Sequence, residues 1–318
     1  MITYRSAVAG AAEHPLTPSQ RADILIEALP YLRQFAGQTL VIKYGGKAMT
    51  SPALKEQVAA DVALLQYVGM RPVLVHGGGP EIDQVLQQMS LEPKFINGLR
   101  VTDDATMEVV EMALNRSNKG LVALLNRHGA QAVGLSGKDA NLLVARKLAI
   151  DGPDLGWVGE VQQVNAGFIA SLSEQGYIPV ICSVAGGSNG ETYNVNADTV
   201  AGAVAGALKA TKLLVMSDVA GLYLDLNDPN TLVSEITADS VSERLNQGTV
   251  TAGMIPKLEA CLAAVQSGVT AAHLIDGTKP HSLLVELLTD AGVGTMILPE
   301  PAWRAAANFP LATLEVRP

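Results

Sequence analysis

The chemistry available to this sequence is concentrated in two lysines, an aspartate, an arginine and two glycine-rich turns. Lys43 ends the apolar run Thr39-Leu40-Val41-Ile42 and is followed within three residues by Gly45-Gly46. An ammonium desolvated at such a place is costly unless an anion meets it; otherwise it snorkels to solvent. Lys257, in Gly253-Met254-Ile255-Pro256-Lys257, falls in the first turn of a long helical stretch, where the macrodipole disfavours a cation by roughly 0.3–1 kcal/mol. That placement points to an anionic partner, against the plainer reading of an exposed, screened lysine. Asp198 closes Asn194-Val195-Asn196-Ala197-Asp198 ahead of another helix. Capping accounts for one of these residues. It does not account for two asparagines whose side chains project to the same side of an extended segment. Arg100, in Asn97-Gly98-Leu99-Arg100, offers a fork that matches a carboxylate, the alternative being an ordinary loop arginine.

These side chains need an anion, and the backbone supplies a place for one. Val73-Leu74-Val75-His76-Gly77-Gly78-Gly79-Pro80-Glu81 reads as a strand, a bare-backbone turn and a helix start. Residues without Cβ let main-chain N–H groups approach a phosphate or carboxylate, and the helix N-terminus favours negative charge there. The Lys43 to Lys47 junction is a second turn of this kind, so Gly45 and Gly46 are expected to face Gly77, Gly78 and Gly79 as two walls of one site. Neither common nucleotide signature is present. There is no Gly-x-x-x-x-Gly-Lys-Ser/Thr, and Ile82 stands where a dinucleotide fingerprint has its third glycine.

The elements that must position these groups alternate. Apolar runs at Leu40–Lys43, Val73–His76, Ala132–Leu135, Ile178–Cys182, Leu213–Ser217 and His273–Ile275 predict buried strands. Helix starts are predicted at Thr17-Pro18, at Ser51-Pro52 before Ala53–Val68, and at Pro80. Others are predicted at Asp103-Asp104 before Met107–His128, and at Asp239 or Ser240 before Val241–Asn246. The pattern is that of an α/β protein. Residues 1–35 differ: Ile24, Leu25, Ala28, Leu29, Leu32 and Phe35 form an apolar stripe on a helix that Pro30 must kink. That arm can pack on its own domain or on another subunit. A boundary between lobes is expected around Leu208–Thr211.

The chain has 318 residues, 48% of them hydrophobic and only 4% aromatic, which suits an aliphatic core under closely packed helices. A net charge of −9, from 22 Lys+Arg against 31 Asp+Glu, argues against a general nucleic-acid binder. Cys182 and Cys261 lie in apolar contexts without metal-ligand spacing, so neither a metal site nor a disulfide framework is expected. No uninterrupted apolar run reaches about 18 residues and no leader pattern opens the chain, so no membrane association and a cytoplasmic location are expected.

Taken in order, Lys43-x-Gly-Gly, His-Gly-Gly-Gly-Pro-Glu, Gly-Leu-Arg-Val-Thr, Asn-Val-Asn-Ala-Asp and Gly-Met-Ile-Pro-Lys resemble the amino-acid kinase family, and within it the acetylglutamate kinase branch. Val133–Asp139, Gly187–Glu191, Ser217–Tyr223 and Ala291–Thr295 extend the resemblance over nearly the whole chain from about Leu29 to Ile297. It implies a three-layer αβα sandwich around a mainly parallel sheet. Residues 1–35 would be the arm, 36–208 an N-terminal lobe for substrate and dimerisation, and 209–318 a C-terminal lobe for ATP. The implied reaction is phosphorylation of N-acetyl-L-glutamate by ATP to N-acetyl-L-glutamyl 5-phosphate, in arginine biosynthesis. Lys43 and Lys257 would stabilise the transferring group and Asp198 would orient both. Gly78 and Gly79 would supply amides, with Gly45, Gly46 and Gly77 lining the phosphate turns, and Arg100 and Asn194 would hold the substrate. Mg2+ would bridge the ATP phosphates, with no protein ligand assigned to it.

Relatives with an extra kinked helix ahead of the first strand are arginine-inhibited hexamers, built as trimers of dimers. The resemblance therefore also implies arginine sensitivity, with Lys279, His281, Gly292 and Gly294 in the effector region, and raises a PII-class regulator as a partner. Thr278 departs from the pattern, which commonly has arginine there. The alternatives are a sister kinase acting on another acid such as acetylaminoadipate, and a non-catalytic amino-acid or nucleotide sensor, which should have lost one of the lysines or Asp198. A nicotinamide-dependent oxidoreductase lacks its fingerprint here.

Overall fold

The structure, a computed structural model, describes residues 16–225 and 228–299. Residues 1–15 of the expected arm and 226–227 and 300–318 of the expected C-terminal lobe lie outside the described residues. Thr17 opens α1 (Pro18–Phe35) with a capping box, its hydroxyl accepting from the Gln20 N–H while the Gln20 side chain accepts from the Thr17 N–H. The helix runs on through Pro30. β1 (Thr39–Tyr44) leads through a short 3-10 turn into α2 (Pro52–Tyr67), which Ser51 caps. β2 (Arg71–His76) delivers the three glycines to α3 (Gly79–Gln88). β3 (Phe95–Ile96) and β4 (Leu99–Arg100) form a hairpin across Asn97-Gly98, both with positive φ, the conformation that makes Asn-Gly the favoured two-residue hairpin turn.

Asp103 caps α4 (Asp104–Arg127), followed by β5 (Ala132–Leu135), β6 (Leu143–Lys147), β7 (Val158–Val164) and α5 (Ala166–Glu174). Next come β8 (Ile178–Cys182), β9 (Val184–Gly186), β10 (Thr192–Val195), α6 (Ala197–Leu208) and β11 (Lys212–Ser217). The described chain ends with β12 (Glu235–Thr237), α7 (Ala238–Asn246), α8 (Ile255–Gln266), β13 (Ala271–Asp276), α9 (Ser282–Leu288) and β14 (Thr295–Leu298). Helix α7 starts earlier than its sequence suggested. Thr237, not Asp239 or Ser240, is the cap, its hydroxyl accepting from the Ser240 N–H.

All six expected strands lie in one eight-stranded sheet, ordered β12-β14-β13-β11-β1-β2-β8-β5 among the described residues. Only the β13–β14 pair is antiparallel. Because side chains alternate along a strand, each sheet face has its own core. Leu40, Ile42, Tyr44, Leu74, Leu214 and Met216 meet α2, α4 and α9 on one side. Val41, Val73, Val75, Leu213 and Val215 meet α5, α6, α7 and α8 on the other. The result is the expected αβα sandwich. What the sequence reading did not anticipate is a small closed barrel, β10-β7-β6-β9, beside the sheet.

Two close contacts govern how this frame reaches the site. A Cβ on Gly78 would lie 2.7 Å from Leu114 Cδ2, so any larger residue there must displace the Leu114 side chain where α3 begins against α4. A Cβ on Gly202 would lie 2.7 Å from the Ala260 carbonyl oxygen, so α6 and α8 touch backbone to backbone there. On α1, Phe35 is buried and Leu32 packs with it, whereas Ile24, Leu25, Ile26 and Leu29 are 44–68% exposed on the protomer.

Candidate active site

Strand alternation places Lys43 on the same face as Val41, under α6 and α8. Asp198, buried in the first turn of α6, receives Lys43 Nζ at 3.0 Å on Oδ1 and Lys257 Nζ at 3.2 Å on Oδ2. Each lysine thus takes one carboxylate oxygen. Asn196, not Asp198, caps α6, its Oδ1 accepting from the Asp198 N–H at 2.7 Å and the Thr199 N–H at 3.4 Å. That cap fixes the backbone from which the Asp198 carboxylate extends. Burial alone would raise the Asp198 carboxyl, but Lys43 and Lys257 outweigh it and hold it below the usual carboxylate range. For Lys43, burial dominates and lowers its pKa; Asp198 opposes that fall and Lys257 adds to it. Two cations around one anion leave a net positive, water-poor corner suited to an incoming anion.

That corner opens on a cavity of about 300 Å³ lined by Lys43, Gly45, Gly46, Gly77, Gly78, Gly79, Arg100, Asn194 and Asp198. The two glycine turns face each other because β1 and β2 are neighbours in register, Lys43 beside Val75 and Tyr44 beside His76. Helix α3 starts here with no side-chain cap, so its free N–H groups and dipole face the cavity. Asn194, on β10, donates to Thr102 Oγ1 at 3.1 Å, and that hydroxyl donates to the Arg100 carbonyl at 2.9 Å. Arg100 is buried with its guanidinium 4.7 Å from the centre of the Phe95 ring, Nη1 2.7 Å from Asp83 Oδ1, and Nη2 donating to the Gly79 carbonyl at 3.5 Å.

The residues expected to form an effector region are divided. Gly292 and Gly294 line a second cavity of about 330 Å³ between α1 and the β12–β14 end of the sheet, together with Tyr31, Lys212, His273 and Glu286. There Lys212 Nζ lies 2.8 Å from His273 Nε2, His273 Nδ1 lies 2.6 Å from Glu286 Oε1, and the Val293 N–H donates to Glu286 Oε2 at 2.7 Å. Burial pulls the Lys212 ammonium down to about 8 against the opposing pull of Glu286. Lys279 and His281 are not in this cavity. Lys279 is exposed in the turn after β13, and His281 Nδ1 contacts the buried Asp61 of α2 at 2.6 Å.

Sequence reasoning missed Asp83, Lys212, His273 and Glu286. Each meets its partners only through the fold, and none stands in a motif. His76 was legible in the triple-glycine motif but had no role assigned to it. A larger groove of about 510 Å³ between α2, α3 and α4 holds none of the expected site residues.

The amino acid kinase family model matches residues 38–276. A curated acetylglutamate kinase from Thermoanaerobacter pseudethanolicus is 52% identical over 278 residues, 87% of this chain and 93% of that protein. Two crystal structures of N-acetylglutamate synthase from Neisseria gonorrhoeae also align. The one complexed with coenzyme A and N-acetyl-glutamate has a TM-score of 0.77 at 27% identity, covering 87% of this chain. The one complexed with coenzyme A and L-arginine has a TM-score of 0.72 at 26% identity, again over 87%. This chain spans 63% and 65% of those synthase chains. With the family model matched over most of its length and a half-identical relative almost fully covered, the chain belongs to the amino acid kinase family.

Proposed function

We propose that this chain transfers the terminal phosphoryl group of ATP to the γ-carboxylate of N-acetyl-L-glutamate, forming N-acetyl-L-glutamyl 5-phosphate in arginine biosynthesis. The observation that carries the reading is Asp198 held between Lys43 and Lys257 beside the two glycine turns. The identity to curated acetylglutamate kinases supports the substrate.

ATP supplies the phosphoryl group, and bound Mg2+ would supply charge neutralisation. Among the described residues no cluster of His, Cys, Asp and Glu could hold a metal. Phosphoryl transfer needs positioning and charge neutralisation above all. Arg100 receives the substrate α-carboxylate, and Asn194 steadies the body of the molecule. The Gly78 and Gly79 amides bind the oxygens of the group in flight, and Lys43 and Lys257 flank it. A γ-carboxylate with a reference pKa near 4.3 is already ionised at neutral pH, so one of its oxygens attacks phosphorus without a base. The bond to the β-phosphate bridging oxygen breaks and ADP leaves with the electron pair. Asp198 is therefore an organiser of the lysines rather than a proton acceptor.

In this reading residues 36–208 hold the acylated amino acid and make a dimer, residues 209–318 hold ATP, and the protein works in the cytoplasm. The exposed apolar face of α1 supports its docking on a neighbouring dimer to give a hexamer. The α1-side cavity, with Glu286 and Glu235 for a guanidinium and Lys212 for a carboxylate, suits arginine as an inhibitor. The synthase complexed with L-arginine supports that ligand class. The test is hydroxamate trapping. Protein, MgATP and hydroxylamine are incubated with N-acetylglutamate, glutamate or acetylaminoadipate in turn, and product with N-acetylglutamate alone is expected. Product with another acid would reassign the substrate, and none from folded, ATP-binding protein would make this a sensor.

A further inference from the structure

His76 is fully buried at the end of β2, immediately ahead of the glycine turn, and the reaction just described makes no use of it. Strand alternation turns it away from Lys43, toward the α4 face that also buries Leu74. Its hydrogen bonds settle its tautomer. The Asn118 amide donates to the Val180 carbonyl at 2.8 Å, which fixes which way that amide faces, and its nitrogen also lies 3.1 Å from His76 Nε2. Nε2 must accept, so the proton sits on Nδ1, which donates to the Gly77 carbonyl at 2.8 Å. The Gly77 carbonyl belongs to the peptide that carries the Gly78 N–H. Because a trans peptide is planar, its C=O and N–H point in opposite directions. Drawing the Gly77 oxygen back toward the imidazole therefore turns the Gly78 N–H outward, into the cavity that Gly77, Gly78 and Gly79 line. Glycines at 77 and 78 would otherwise leave this peptide plane free to rotate.

We propose that His76 is a positioning residue for phosphoryl transfer. Through its Nδ1–H bond to the Gly77 carbonyl, and itself held by Asn118, it locks the peptide whose Gly78 N–H binds the group in flight. The proposal rests on the phosphotransfer reading above. Nothing in it requires His76 to touch substrate or to move a proton. Its contribution is realised at the transition state, where amide geometry matters most, so it belongs in kcat rather than in substrate KM.

Two substitutions separate positioning from support. In His76→Asn the side-chain amide nitrogen stands near the position of Nδ1 and keeps the Gly77 bond while losing Asn118. In His76→Gln the amide reaches the Nε2 position, keeping Asn118 and losing Gly77. In the hydroxamate assay His76→Gln is expected to lose about 10–100-fold in kcat with both KM values nearly unchanged, in line with a misplaced transition-state donor. His76→Asn is expected to stay within several-fold of wild type. Inhibition by ADP with aluminium fluoride and N-acetylglutamate, which resembles the transferring group, should weaken in parallel with kcat. A His76→Gln enzyme as fast as wild type, or equal losses in both variants, would overturn the role. Imidazole 15N spectra of the unsubstituted protein test it without any variant: Nδ1 of His76 must carry the proton, and an Nε2–H tautomer would overturn it. No product from the wild type would overturn the phosphotransfer reading itself, whereas an active wild type beside a fully active His76→Gln would overturn only the role of His76.

Discussion

Asp83 Oδ1 stands 2.7 Å from Nη1 of Arg100, so the guanidinium proposed to receive the substrate carboxylate already faces a carboxylate of the protein. Asp83 is partly exposed while Arg100 is buried, so the pair is anchored at its arginine end. An incoming carboxylate must share or displace Asp83, at the cost of like-charge repulsion. Asp83→Asn keeps a side-chain acceptor and removes the charge. The KM for N-acetylglutamate is expected to fall about 3- to 10-fold, roughly 1 kcal/mol, with kcat unchanged; a raised KM would mean that Asp83 positions Arg100. Arg100→Ala should raise that KM, and an unchanged value would leave the carboxylate to another residue.

Lys257→Ala removes one of the two ammonium groups that meet Asp198 and that are proposed to flank the transferring group. It should lower kcat by about 10²–10³, the usual effect of losing one transition-state donor. Lys257 is only partly buried, with its ammonium on Asp198, so the fold should survive. Steady-state kinetics with circular dichroism checks both, and near-full kcat in a folded variant would remove Lys257 from the chemistry.

The buried His76 also makes stability depend on pH. Burial pulls its pKa down to about 4 from 6.5, against the opposing effect of its bond to Gly77. Between those values the unfolded chain binds the proton and the folded one does not, so stability is fully present above 6.5 and falls away as pH drops toward 4. The shift corresponds to about 3 kcal/mol at most. The drop in thermal midpoint between pH 7 and pH 4.5 should be smaller for His76→Gln than for wild type; equal drops would refute this.

Leu25 is 68% exposed on the protomer, so Leu25→Glu should leave the protomer fold intact while placing a charge in any contact made by α1. Sedimentation should then show a hexamer for wild type and a dimer for the variant. A variant that stays hexameric would take α1 out of the assembly. This change tests the arm more cleanly than deleting residues 1–35, which also removes the buried Phe35.

What could be read from the sequence followed from local signals. Six of the eight sheet strands are short apolar runs, and only the edge pair β12 and β14 went unread; Thr17, Ser51 and Asp103 are caps, and the glycine turns announce themselves. The barrel strands were not legible, because Val158–Val164 passes from buried to exposed positions without alternating, and the short Thr192–Val195 closes the barrel by pairing with Val158 and Gly159 far back in the chain. The β3–β4 hairpin was signalled by Asn97-Gly98, and its two-residue strands hid it. Lys43, Asp198 and Lys257 stood out as candidates one by one, but their sharing of a single carboxylate depends on helix packing. The Lys212, His273 and Glu286 group was invisible for a related reason. Its members sit on β11, β13 and α9, and only the sheet order makes them neighbours.

The contact of Gly202 with Ala260 has a consequence for the active site one helical turn away. Asp198 precedes Gly202 by four residues and Lys257 precedes Ala260 by three, so the spacing of two chemically inert backbones calibrates the reach between a carboxylate and an ammonium. A single added methyl at 202 would act as a shim between the helices, detuning the charged pair while leaving every functional group in place.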